Sequence, residues 1–119
     1  MAITGIDHVQ VAAPAGCEEE ARAFYGGLLA LAEVPKPEPL AARGGCWFRA
    51  GAQELHVGVE EPFAPARKAH PGLVADNLDA LVEMLRGAGH EGAFDDAIPG
   101  ARRIHVRDPF GNRLEIRQG

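Results

Sequence analysis

The sequence predicts an α+β fold in which one domain of 119 residues is built from two repeated halves. Three observations predict it. The tripeptides Leu55-His56-Val57 and Leu114-Glu115-Ile116 each end a strand–turn–strand run, Cys46 to Val59 and Arg102 to Gln118. Each sets a group able to bind metal between two apolar residues. A histidine opens each half at nearly the same distance upstream, His8 before His56 and His70 before Glu115. Each half also carries one segment with apolar residues at i, i+3, i+4 and i+7, the stripe of a helix that buries one face. We read this as an internal duplication, with modules at about 3–59 and 69–118, a linker at 60–68, and one metal site built by both halves.

Taken in order, Ile3 to Ala13 alternates as a strand, with Ile6, His8 and Gln10 on one face and Val9 and Val11 on the other. Pro14-Ala15-Gly16 ends it. Glu18 to Leu29 is a helix with Ala21, Phe24, Tyr25 and Leu28 as its stripe, and its three leading glutamates suit the positive end of the helix dipole. Gly26-Gly27 weaken its last turn. The run Pro35-Lys36-Pro37-Glu38-Pro39 is an extended surface loop. Cys46 to Ala50 and Gln53 to Val59 form a hairpin about Gly51-Ala52. The second half repeats this order. Ala69 to Ala75 is a strand. Asp76 or Asn77 caps a helix running to about Arg86 with the stripe Leu78, Leu81, Val82 and Leu85, and Gly87 and Gly89 stop it. Glu91 to Gly100 is polar and weakly patterned, with room for a short strand. Arg102 to Arg107 and Arg113 to Gln118 close the chain as a hairpin around Asp108-Pro109-Phe110-Gly111-Asn112. A half of about 55 residues buries too little apolar surface to stand alone, so the halves must pack on each other or on a second chain.

Composition narrows the function. A net charge of −5 argues against a nucleic-acid partner, which would want a basic face. No run approaches the ~18 apolar residues of a membrane span, and the N-terminus shows no basic region followed by an apolar stretch. Cys17 and Cys46 lack CxxC spacing and read as reduced thiols. The expected compartment is the cytoplasm.

Strand parity indicates what each face carries. Val9, Leu55, Val57, Leu114 and Ile116 fall on the helix-facing side. His8, Gln10, Glu54, His56, Arg113, Glu115 and Arg117 fall on the other, joined by Arg103, His105 and Arg107 if the last hairpin follows suit. One of Trp47 and Phe48 should face the same cavity. The arginines there hint at an anionic substrate.

The segments Gly5-Ile6-Asp7-His8-Val9, Phe24-Tyr25-Gly26-Gly27-Leu28-Leu29-Ala30-Leu31, Glu54-Leu55-His56-Val57, Ala69-His70-Pro71-Gly72 and Asp108 to Ile116 span nearly the whole chain in order. Together they resemble the vicinal oxygen chelate superfamily, the glyoxalase/bleomycin resistance/dioxygenase family. The resemblance implies two βαβββ modules forming a cupped mixed sheet, and a homodimer. It implies His8, His70 and Glu115 as metal ligands, with open positions for paired substrate oxygens. His56 stands where members resembling glyoxalase I place a glutamate, so it is a fourth ligand or a pocket residue. Such a set suits a divalent transition metal: Zn, Fe, Ni, Co or Mn.

Two functions follow from that resemblance. One is a metal-dependent enzyme of lyase, isomerase or dioxygenase type. It would chelate vicinal oxygens of a small substrate and stabilise an enolate or oxyanion, with Glu115 and His56 as candidate proton-transfer groups and Trp47, Phe48, Arg103, His105 and Arg113 lining the substrate. The other is a metal-free protein of the bleomycin-resistance type that sequesters an antibiotic or natural product.

Overall fold

The computed structural model describes the whole chain, Met1–Gly119. It divides into two compact units, residues 1–64 and 65–119. The first unit runs β1 (His8–Ala13), α1 (Glu18–Ala21), a π-helical segment (Arg22–Leu28), β2 (Ala32–Val34), β3 (Cys46–Ala50) and β4 (Gln53–Val59). The second runs β5 (Gly72–Ala75), α2 (Leu78–Gly87), β6 (Ala93–Phe94), β7 (Arg103–Arg107) and β8 (Arg113–Gln118). Each unit holds one four-stranded mixed sheet, ordered β1-β4-β3-β2 in the first and β5-β8-β7-β6 in the second. In both, the opening strand is parallel to the closing strand and the other pairs are antiparallel. The two units are therefore βαβββ modules of one topology.

The hairpin strands lie where their alternation placed them. The opening strands are shorter than their patterns suggested, for one reason: a strand needs a partner. His8 is the first residue opposite β4, paired with Glu54, because the turn at Gly51-Ala52 lies just beyond. Ile3 and Ile6 are consequently exposed and unpaired. In the second module Gly72 is the first laddered residue, opposite Glu115, and Pro71 ahead of it has no N–H to give. The second strand of each module, β2 and β6, is short and largely exposed at the sheet edge, so no apolar alternation announces it.

The first helix continues through Gly26-Gly27 by widening rather than ending. Leu29 N–H reaches back five residues to the Phe24 carbonyl at 2.9 Å, and Ala30 then turns the chain at φ 58°. In the second module Asn77 caps α2 by accepting from Ala80 N–H at 3.1 Å. Gly89 at φ 89° ends it, with His90 N–H returning to the Leu85 carbonyl.

Each helix covers the apolar face of its own sheet. Phe24 and Tyr25 are buried with Phe48, Leu55 and Val57, and the Tyr25 and Phe48 rings lie 5.8 Å apart. Leu78, Val82 and Leu85 are buried with Ile104, Val106, Leu114 and Ile116. Val9 shares the helix-facing side with Val11 but sits at the open end of β1 and is 37% exposed. At the mouth of β3, Gly45 at φ 86° passes so close to β4 that a Cβ there would stand 2.1 Å from the Val57 carbonyl oxygen. Its N–H donates to Glu18 Oε2 at 2.6 Å, tying the helix start to the sheet. That bond, more than any other contact, holds the Glu18 carboxyl below its ordinary pKa.

Candidate functional site

The face of each sheet opposite its helix carries the polar residues. The register makes the two modules directly comparable. Gln10 and Trp47 flank His56 in the first sheet, and Gly72 and His105 flank Glu115 in the second. His8 and His70 each stand two residues ahead of the flanking residue on the opening strand.

In the first module the polar face is a stack of rings. Trp47 lies flat on His56, centroids 3.9 Å apart at an interplanar angle of 1°. His8 covers the other side of His56 at 4.2 Å and 17°. Buried between them, His56 has its Nε2 2.9 Å from Glu54 Oε1. Glu54 and His56 are two apart on β4, so strand parity puts both on this face. Arg49, directly across from Glu54, approaches it at 3.6 Å. His8 Nδ1 lies 2.9 Å from Asp7 Oδ2.

The second module holds a charge network instead. His70 Nδ1 bonds the Lys68 carbonyl at 2.7 Å, and its Nε2 lies 3.9 Å from Glu115 Oε1. Arg103, one step diagonal from Glu115 across the β7–β8 ladder, is buried and donates Nη1–H to Glu115 Oε1 at 2.5 Å. Its Nη2 meets Asp95 Oδ2 at 3.1 Å, and the same carboxylate oxygen meets His105 Nε2 at 2.9 Å. The Ala97 N–H, followed by His105 and Arg103, holds the Asp95 carboxyl below its ordinary pKa. His105 Nδ1 and Arg103 Nε are buried without partners. Arg113 is half-buried with no carboxylate against it.

These placements correct one expectation and narrow two. Phe48 belongs to the helix-side core, fully buried against Tyr25, so it lines no substrate. Trp47 alone of the two aromatics faces the polar side. Arg103 is buried and held by Glu115 and Asp95 in the charge network, with Nη1 on one carboxylate and Nη2 on the other. His56 gives its Nε2 to Glu54 and both ring faces to neighbours, an arrangement unsuited to a metal ligand through that nitrogen. Glu54 and Asp95 belong to these polar clusters without being among the candidate site residues of the sequence. The spacing Glu54-Leu55-His56 signals the first. Asp95 lies in an unpatterned loop and had no local signal.

The remaining donors fit a transition metal in kind. His8 and His70 each have Nδ1 engaged by an oxygen, which orients the ring and leaves Nε2 as the free donor. Glu115 keeps Oε2 free while Oε1 is held by Arg103. Gly72 beside it adds no side chain, and a Cβ there would come only within 4.0 Å of Oε2. His70 and Glu115 stand as a pair, and no group of three His, Cys, Asp or Glu lies in metal-holding geometry. Burial, ahead of the neighbouring Glu18, pushes the Cys17 thiol up to about 11, and burial also raises Cys46, so neither is a ready nucleophile or ligand at neutral pH. No helix is long and apolar enough to cross a membrane.

No protein-family model matches this chain, and no curated protein matches it. Among solved structures it is similar to a protein from Bacillus anthracis described as of the glyoxalase family, with 53% identity and a TM-score of 0.94, covering 100% of this chain and 98% of that one. A lactoylglutathione lyase from Agrobacterium tumefaciens shares the fold at 21% identity and TM-score 0.74, covering 98% of this chain and 95% of that one. So does FosX, a genomically encoded fosfomycin resistance protein from Listeria monocytogenes, at 15% identity and TM-score 0.78, covering 99% and 95%. Paired βαβββ modules of this kind define the vicinal oxygen chelate superfamily. Within it, identity over the full length of the Bacillus anthracis protein establishes that this chain belongs to the glyoxalase family.

Proposed function

We propose that the chain is a metal-dependent enzyme that catalyses proton transfer on a small substrate bearing two adjacent oxygens, with His70 and Glu115 as candidate ligands of a divalent transition metal and His8 as the further ligand that the family resemblance implies. The observation that carries this reading is the His70–Glu115 pair. An imidazole anchored through Nδ1 presents Nε2 to a carboxylate at 3.9 Å, on the polar face of one sheet. When bound, such a metal supplies Lewis-acid stabilisation of an enolate or oxyanion.

The chain's own residues supply the rest. Arg103 holds Glu115 at one oxygen and keeps the other available. Glu54 and His56 form the proton-transfer pair, hydrogen-bonded at 2.9 Å. His56 is locked between Trp47 and His8, and Glu54 has the more exposed side chain of the two. Glu54 is thus the member that a bound molecule reaches, and His56 orients it.

The first test is the metal content of protein purified without a metal-affinity tag, alongside His8→Ala and Glu115→Ala variants. About one transition metal per chain, lost in both variants, is expected. No metal, and no uptake of added Zn, Fe, Mn, Ni or Co, would overturn the enzyme in favour of a metal-free binding protein. The Trp47–His56–His8 stack supports that second reading, since it offers a preformed aromatic surface to a flat ligand.

A further inference from the structure

We propose that the groove beside β7 and β8 of the second module binds an oxyanion, a carboxylate, phosphate or phosphonate carried by the substrate, through Arg113 and Arg107. This deepens the reading above by naming a substrate class, and rests on that reading for the position of the reacting atoms. Arg107 and Arg113 lie directly opposite each other in the antiparallel ladder and on the polar face. Like charges in that position repel, and ladders ordinarily avoid them. In a chain of net charge −5, a carboxylate would be the expected neighbour, yet none pairs with either arginine.

The groove they line has a volume of about 720 Å³ and is also bordered by His90, Glu91, His105 and Asp108. Its two acids are committed elsewhere. Glu91 faces Arg86 at 3.4 Å. Asp108 is buried and accepts from Phe110 N–H, Asn112 N–H and the Asn112 side-chain amide, all within 2.9 Å. Arg107 spends one N–H on the Gly111 carbonyl at 3.0 Å and keeps its other donors. Two guanidinium groups therefore face one groove with their charge uncompensated, and a planar or tetrahedral oxyanion satisfies both through paired N–H donors.

Position sets the size of the substrate. The Arg107–Arg113 pair is one row along the same face from His105–Glu115, a step of two residues or about 7 Å. The anionic group thus sits about 7 Å from the carboxylate that marks the reacting end. Arg117, the remaining arginine of this face without an acid partner, pairs in the ladder with Arg103, on the far side of Glu115, and is exposed. It serves as the control.

The test is phosphorus NMR titration of inorganic phosphate with the full chain, stripped of metal by chelation, at low ionic strength. Saturable binding is expected, weakened at least tenfold in Arg113→Met and in Arg107→Met and unchanged in Arg117→Met. Arg107 is the more exposed of the pair, so its variant stands in if Arg113→Met fails to fold. Absence of saturable binding, undiminished binding in the folded variants, or an equal loss in Arg117→Met would overturn the proposal. Metal uptake is measured separately on the same wild-type preparation. Phosphate binding without metal uptake upholds the oxyanion site and sinks the metal reading, and the converse result does the opposite.

Discussion

The two modules share topology and register, and they use the same three positions for different physics. In the first, Gln10, His56 and Trp47 make a packed surface of rings and one amide. The Gln10 side chain lies over Gly58 so closely that a Cβ there would come within 2.5 Å of it. In the second, the equivalents Gly72, Glu115 and His105 make an open carboxylate surrounded by charge. Gly72 removes the side chain that would cover Glu115, and Arg103 supplies the counter-charge. A duplicated frame can thus hold a stacked wall in one copy and a charged centre in the other, with the backbone unchanged.

The largest expected effect separates the modules by metal. His70→Gln and Glu115→Gln should abolish bound metal, whereas His56→Gln should leave the metal content at the wild-type level. Metal loss in His56→Gln would return that residue to the ligand set. Next is Gly45→Ala in the first module. It forces a side chain at φ 86° into the Val57 carbonyl and should cost on the order of 3 kcal/mol in urea unfolding. A near-neutral result would mean that β3 and β4 separate easily. Arg103→Met breaks the charge network of the second module. Its cost should be about 2 kcal/mol, because Glu115 and Asp95 lose a charged donor while retaining some access to water.

Helix capping gives a smaller contrast. The start of α2 has a side-chain cap in Asn77 and α1 has none, so Asn77→Ala should cost about 1 kcal/mol and Cys17→Ala nothing through capping. The smallest effect is pH-dependent. Glu18 has its folded pKa lowered by the Gly45 N–H. Its contribution is therefore complete above the ordinary glutamate value and is lost as pH falls through the lower folded value. Glu18→Gln should flatten stability across that acidic interval. An unchanged acid profile would show that the Gly45 bond contributes nothing to stability.

Local chemistry makes much of this protein legible in its sequence. Alternation about Gly51-Ala52 and about Asp108 to Asn112 placed both hairpins, and i, i+3, i+4, i+7 spacing with Asp76 or Asn77 ahead and Gly87 and Gly89 behind placed α2, because these signals act over a few residues. The correspondence of His8 and His56 with His70 and Glu115 was legible for the same reason: strand parity is a sequence property. The hairpin register also contained the choice of Trp47 over Phe48, since Trp47 falls opposite His56. Only tertiary structure decided which partner each charge took. Arg103 could have faced a ligand, but Asp95, carried in on an unpatterned loop, and Glu115, one strand away, claimed it. His56 could have bound metal, but Glu54 and two ring faces enclosed it. Ion pairs and ring stacks form between side chains brought together by folding, and their energy depends on distance and burial that no short stretch of sequence encodes.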